Sequence, residues 1–229
     1  MPTFVLPEDH LVFPHPLLSD GEEYPLAVGG KLTTDRLLLA YHFGIFPWFI
    51  PGEIVQWFFP NPRCVIYPED LKVSKSMRPY FNQQKYQWSI NKNFDAVIRH
   101  CQTAGDRLLE GTWIGHEVLK AYTELHRLGY AHSVEVWDEE ELVGGLYGIK
   151  LGKVFYGESM FSLKNNASKF GFISFVRHLV QNEGVQLIDC QIENTHLVSL
   201  GAVTISGETF LSHIRQWAWK ASKSEIIRN

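Results

Sequence analysis

Residues 185–202 read VQLIDCQIENTHLVSLGA, and the rest of the chain is arranged around that stretch. Val185, Leu187 and Ile188 make a short aliphatic run of the kind that fits an interior strand, where both faces of the pleat are covered. Asp189, Gln191 and Asn194 follow as the strand gives out. Residues 195–200 then read as a short helix, with Gly201 where a helix ends. A strand end followed by a helix start lets a rigid scaffold aim polar groups at a ligand. Chemistry is therefore expected at these three side chains. The residues by themselves also admit a plainer reading, with Asn194 as a helix cap and Asp189 as a salt-bridge partner.

Working back from that strand, residues 167–181 read as a helix with Phe172, Phe175 and Leu179 inward. Residues 132–137, 142–149 and 154–160 are expected as a three-strand antiparallel meander. Gly144-Gly145 would mark a bulge or a close backbone approach within it. Asn93 caps a helix to Cys101. Trp113-Ile114 leads into an amphipathic helix with Val118, Ala121, Tyr122, Leu125 and Leu128 on one face, ended by Gly129. A last helix is expected from about Gly207 to Trp219. From residue 93 the order is helix, helix, three strands, helix, strand, helix, which is an α+β sheet with one crossover helix.

The N-terminal part reads differently. Residues 1–31 are rich in Pro and Gly and predict an irregular arm. Thr33-Thr34-Asp35 caps a helix whose apolar face is Leu37, Leu38, Tyr41 and Ile45, with Gly44 as its stop. In GIFPWFIPGEIVQWFFPNPR (44–63), four prolines rule out a long regular element. Phe46, Trp48, Phe49, Trp57, Phe58 and Phe59 crowd this segment, either as a plug that holds the arm down or with some rings facing a ligand. Lys72, Lys75, Arg78, Lys85 and Lys92 are interleaved with Tyr80, Phe81, Tyr86 and Trp88, which fits a solvated face or a surface turned to RNA.

A chain of 229 residues that is 45% hydrophobic and 20% charged buries a full core, as one large domain or a small one joined to a larger. The 14% aromatic content, with seven Trp, fits a heavy core or a platform for flat rings. A net charge of −4 argues against coating nucleic acid non-specifically. Cys64, Cys101 and Cys190 are widely spaced with no CxxC, so neither a disulfide framework nor a zinc site is indicated. The histidines show no metal-ligand spacing, and His196 reads as a packed or solvated helix residue rather than a base. Neither a signal peptide nor a membrane-length apolar run is seen, so a cytoplasmic protein without membrane contact is expected.

The succession of elements resembles the GNAT acetyltransferase superfamily, in which the strands before and after the crossover helix splay apart around an acyl donor. A GNAT coenzyme A site needs a Gly-rich turn at the helix start; here that turn is SLKNNASK (162–169), without glycine. A more specific likeness lies in LAYHFGIFPWF (39–49), PNPR (60–63), GTWI (111–114), AHSVEVW (131–137), VGGLYG (143–148), GESMFS (157–162), NASK (166–169), LIDCQ (187–191) and HLVSLGA (196–202). Together these resemble the bacterial leucyl/phenylalanyl-tRNA–protein transferases. Departures are Leu146, where relatives often carry Met, and Trp57-Phe58-Phe59-Pro60-Asn61-Pro62-Arg63, where they read Trp-Trp-Ser-Pro-Asp-Pro-Arg.

That resemblance implies a small N-terminal α/β domain (1–62) and a GNAT-like domain of mixed sheet and flanking helices (63–229). It implies transfer of Leu or Phe from aminoacyl-tRNA to proteins beginning with Arg or Lys, which marks them for degradation; a side-chain pocket that selects by size would take Met as well. Asp189, Gln191 and Asn194 are then the catalytic candidates. The aminoacyl-adenosine site would draw on Tyr41, Trp48, Leu146, Glu158, Met160, Phe172 and Phe175, and Lys75 and Arg78 are the candidates for tRNA phosphates. No metal or cofactor is expected, and the protein is expected to act as a monomer. A coenzyme A-dependent N-acetyltransferase is the alternative reading.

Overall fold

The computed structural model describes residues 3–105 and 111–218. Trp219, the expected end of the last helix, lies outside them, as do residues 1 and 229 at the expected domain ends. Strands β1 (Phe4–Leu6), β2 (Ala27–Gly29), β3 (Phe46–Pro47) and β4 (Gln56–Phe58) form a small sheet in the order β1-β2-β4-β3. The arm expected as irregular thus supplies two strands, paired in parallel from Phe4↔Ala27 to Leu6↔Gly29. Three-residue strands are too short to show an alternating pattern, so their pairing left no trace in the sequence. Helix α1 (Thr34–His42) lies next to this sheet, capped by the Thr33 hydroxyl and stopped at Gly44, whose φ is +69°.

The larger sheet has the order β11-β5-β10-β9-β8-β7-β6. Its members are β5 (Arg63–Ile66), β6 (Gln87–Ile90), β7 (Ala131–Asp138), β8 (Glu141–Leu151), β9 (Val154–Ser162), β10 (Leu187–Gln191) and β11 (Val203–Ile205). The meander β7–β8–β9 is antiparallel, and β10 joins β9 in parallel, as the crossover predicted. Strands β5, β6 and β11 were not legible. They are short, and β5 is buried at every position, so no alternation marks it.

Helices α2 (Arg78–Asn82), α3 (Phe94–Thr103), α4 (His116–Arg127), α5 (Ala167–His178), α6 (Thr195–Ser199) and α7 (Gly207–Trp217) complete the described chain. The crossover helix α5 ends earlier than expected, and Leu179–Glu183 is a turn of π-helix. Two cores sandwich the large sheet. Leu187 and Tyr156 face the one shared with α3, α4 and the small sheet, while Ile188 and Phe155 face the one under α5. The Gly144-Gly145 pair satisfies both expectations. Val143 is the extra residue of a bulge, and a Cβ on Gly145 would sit 2.6 Å from the Val134 carbonyl oxygen.

A second bulge matters more. Tyr147 pairs with Ser159 but Gly148 pairs with Gly157, so Glu158 is the unpaired extra residue of β9. The bulge inverts the alternation of the strand. Val154 and Tyr156 face the α3–α4 core before it, whereas after it Phe161 does so and Met160 turns to the α5 side. Gly148 makes the close approach possible, since a Cβ there would lie 2.2 Å from the Tyr156 carbonyl oxygen and 2.5 Å from the Phe155 ring. Gly148→Ala is therefore expected to destabilise the protein by about 1–3 kcal/mol in urea unfolding. An unchanged midpoint would show that the strand pair has room to yield.

Candidate functional site

Strands β9 and β10 pair in parallel at Leu187↔Val154, Ile188↔Phe155 and Asp189↔Tyr156, and there the ladder ends. Both strands bulge just beyond, at Glu158 in β9 and at Cys190 in β10, where Asp189 pairs with Val65 but Gln191 with Cys64. The separated strands open a cleft of about 820 Å³, floored by Glu158 and Gln191 and flanked by Trp48, Trp113 and Asn194. The divergence is the splay that the GNAT resemblance implies.

Glu158 is half-buried at the floor of this cleft. Its Oε1 accepts the Tyr41 hydroxyl at 2.7 Å and the Gln191 Nε2 at 3.2 Å, and its Oε2 accepts the Tyr122 hydroxyl at 3.2 Å. The two hydroxyls are also hydrogen-bonded to each other. The three groups form a closed triangle of hydrogen bonds. Burial pushes the Glu158 carboxyl up to about 7, against the opposing pull of the two tyrosine hydrogen bonds. Burial, then the nearby carboxylate, raises both phenols well above their ordinary range, so they remain donors. Tyr41 comes from α1 and Tyr122 from α4, so the triangle also ties the small sheet's helix to the larger unit.

Asp189 lies beneath the cleft, fully buried. Its Oδ1 and Oδ2 accept the Arg63 Nε at 2.7 Å and Nη2 at 2.6 Å. Oδ1 also accepts the Gln191 backbone N–H at 3.0 Å, and Gln191 has a left-handed φ of +63°. Asp189 thus contacts the backbone of Gln191, and the salt-bridge reading of this residue describes its side chain. Asn194 is the N-cap of α6, its Oδ1 accepting the Leu197 N–H at 2.9 Å. The cap occupies the oxygen end and leaves the Nδ2 end for a ligand. Both readings of Asn194 are therefore compatible.

Of the other candidates, Leu146, Met160 and Phe172 line the cleft together with the half-exposed Trp48 ring, which leans on Phe58 at 5.6 Å. Phe175 does not reach it; it is buried behind Phe155, at 4.9 Å between ring centres. Tyr41 is buried too and meets the cleft through Glu158. Lys75 and Arg78 are exposed on a 3-10 turn and the start of α2, away from the cleft lining. His196 lines the cleft, and burial, then the charge of Lys169, holds its imidazole below the ordinary range. Among the described residues no group of three or more His, Cys, Asp or Glu converges as a metal site.

Arg63, Trp113 and Tyr122 were not singled out as site residues. Tyr122 carried a usable signal, because a tyrosine on the apolar face of a helix needs a partner for its hydroxyl. At the altered PNPR segment, Asn61 Oδ1 accepts the Gly207 N–H at 2.9 Å at the start of α7. Phe59 is fully buried there.

Residues 65–215 match the family described as leucyl/phenylalanyl-tRNA protein transferase, and residues 30–61 match its N-terminal domain. A leucyl/phenylalanyl-tRNA–protein transferase of Yersinia enterocolitica is 51% identical over 212 residues, covering 92% of this chain and 88% of the relative. One from Yersinia pestis (strain Pestoides F) is similar to the same extent, 51% over 212 residues. Among solved structures, a conserved protein of unknown function from Bacteroides thetaiotaomicron has a TM-score of 0.49 at 12% identity, covering 79% of this chain and 66% of that one. A GCN5-related N-acetyltransferase from Kribbella flavida has 0.36 at 9%, covering 74% and 60%.

The raised Glu158 carboxyl has a consequence for stability. Between the ordinary value of 4.5 and about 7, the folded chain holds a proton that the unfolded chain has lost. The contribution of Glu158 is therefore fully present below about pH 4.5 and is lost as pH rises through about 7. Urea midpoints of the wild type relative to Glu158→Gln should fall across that window and level off above it. A difference independent of pH would remove the assignment.

Proposed function

The chain belongs to the leucyl/phenylalanyl-tRNA–protein transferase family, and from that premise we propose that it moves Leu or Phe, and Met where the pocket accepts it, onto the α-amine of proteins beginning with Arg or Lys. In this reading it works as a cytoplasmic monomer and marks its acceptors for degradation. The ester of an aminoacyl-tRNA is activated, so forming an amide from it is downhill. The attacking α-amine has a pKa of about 7.7–8.0, which leaves a useful neutral fraction near pH 7. Alignment of the two substrates and stabilisation of the oxyanion then carry the rate.

The observation that carries this mechanism is the hydrogen bond from Gln191 Nε2 to Glu158 Oε1 at 3.2 Å. With its nitrogen held at the floor, the carboxamide presents its oxygen as the acceptor for a proton of the attacking amine. Asn194 Nδ2 donates to the oxyanion, Oδ1 being engaged in the cap. Asp189 acts on Gln191 from below rather than on the amine. Glu158 is the candidate partner for the acceptor's Arg or Lys side chain, because an arriving cation would draw off its proton and leave a charge pair at the floor.

Trp48 offers an exposed face on which adenine stacks. Leu146, Met160 and Phe172 form the side-chain pocket, which selects by size and shape. Unbranched or aromatic side chains fit, and the β-branched ones are excluded. Lys75 and Arg78 hold tRNA phosphates outside the cleft. The alternative, a coenzyme A-dependent acetyltransferase, lacks support at the turn before α5, where Asn166 rather than a glycine takes the left-handed backbone, at φ +62°.

Labelled Leu-tRNA, Phe-tRNA and Ile-tRNA offered to peptides beginning with Arg, Lys or Ala test the reading directly. Leu and Phe should be transferred to the Arg and Lys peptides, Ile and the Ala peptide should be poor, and acetyl-CoA should give no product. Gln191→Ala and Asn194→Ala should each lower kcat by about 100–1000-fold, as loss of a preorganised donor or acceptor does. Near-normal turnover in both variants, or equal transfer to the Ala peptide, would overturn the proposal.

The same assays run at rising ionic strength test the tRNA surface. Affinity for aminoacyl-tRNA should fall linearly in log–log form, and Lys75→Ala/Arg78→Ala should flatten the slope by about two ions. An identical slope in that double variant would acquit both residues.

A further inference from the structure

We propose that Arg63 is a positioning residue for aminoacyl transfer: acting through Asp189, its guanidinium sets the left-handed backbone of Gln191 and so the direction of the Gln191 carboxamide. The inference rests on the reading of Gln191 as the group that takes the amine proton. Glutamine has no intrinsic preference for a φ of +63°, and a side chain there is held only when its surroundings over-determine it. Here the holding contact is the Asp189 Oδ1 that accepts the Gln191 N–H at 3.0 Å. The same oxygen accepts the Arg63 Nε at 2.7 Å, so one atom joins the guanidinium to the backbone of the catalytic candidate.

Asp189 has no exposed surface, and Arg63 is the charged group that pairs with both of its oxygens. Without the planar guanidinium fork, nothing holds the carboxylate oxygens in that orientation, and the grip on the Gln191 N–H weakens. Arg63 is in turn fixed in orientation. Three rings face its central carbon, Phe210 at 4.5 Å, Phe46 at 5.1 Å and Phe59 at 5.6 Å. Its Nη1 has no hydrogen-bond partner among the described residues, so the fork is aimed by the aromatic box and by Asp189 alone. Phe46 is in β3 of the small sheet, Phe59 follows β4, and Phe210 is in α7. Packing of the β3–β4 pair and of α7 is thereby read out at one side chain of the cleft floor.

A rival account holds that the pair only stabilises the fold. Buried ion pairs are poor candidates for that role, since apolar groups of similar volume commonly serve as well. An apolar residue at position 189 cannot accept the Gln191 N–H, so the requirement that separates the accounts is directional.

The test is steady-state transfer of Leu from Leu-tRNA to an Arg-initiated peptide by Arg63→Lys, Gln191→Ala and the double variant. Arg63→Lys keeps the charge but loses the planar fork. It should lower kcat by about 10–100-fold with KM for both substrates within about threefold of wild type. In the Gln191→Ala background the same change should cost nothing further, because the two act in one chain. If Gln191→Ala itself turns over normally, the reading of Gln191 fails and takes this inference with it. If Gln191→Ala is slow and Arg63→Lys adds its full loss on top, only the positioning role is overturned. A wild-type kcat in Arg63→Lys overturns it as well. Should Arg63→Lys not fold, Arg63→Met/Asp189→Leu replaces the pair by apolar groups; it should recover a near wild-type urea midpoint with kcat still depressed, and recovered kcat would reduce the pair to a structural one.

Discussion

The buried bidentate pair between Arg63 and Asp189 is the constraint on which the cleft depends. It sits where three things meet: the first residue of β5, the last paired residue of the β9–β10 ladder, and the aromatic box that gathers both sheets and α7. Removing one partner of such a pair costs about 3–5 kcal/mol, because the survivor is left charged and dry. The pair is therefore weak evidence for stability in itself but strong evidence that both residues are held in one geometry.

From that anchor, the opening of the cleft follows from two local irregularities in strands that would otherwise stay zipped. Parallel pairing ends at Asp189↔Tyr156, and each strand then accommodates one extra residue. A bulge bends its strand and re-aims the next side chain. In β9 it brings Glu158 to the floor and sends Met160 to the opposite face; in β10 it comes just before the left-handed turn at Gln191. Gly148 accommodates the first of these bulges by offering no Cβ.

Glu158 is the second node. Its triangle with Tyr41 and Tyr122 crosses from the helix beside the small sheet to the helix over the large one, and its hydrogen bond to Gln191 reaches the cleft. Burial holds its carboxyl raised, to about 7, at the cleft floor. The same group thus links the packing of the two sheets with the lining of the cleft.

Much of this was legible beforehand. The meander, the crossover helix, the interior strand and the caps at Thr33, Asn93 and Asn194 follow from periodicity and hydrogen-bonding chemistry acting over a few residues. The sequence also contained Gln191 and Asn194 at the end of a strand, where they meet the cleft. Strands β1, β2, β5, β6 and β11 were not legible, because their pairing is set by partners elsewhere in the chain.

The same division runs through the site. Which residue types stand at the tip of β10 is a property of the sequence. That Asp189 turns down onto Arg63, that Phe175 falls behind Phe155, and that Glu158 is the extra residue of its strand are decided only in three dimensions. Local preference is short-ranged and can be read along the chain. Burial, charge pairing and strand register depend on neighbours well beyond the reach of local preference, as the 126-residue separation of Arg63 and Asp189 illustrates, and they exist only once the sheets have closed.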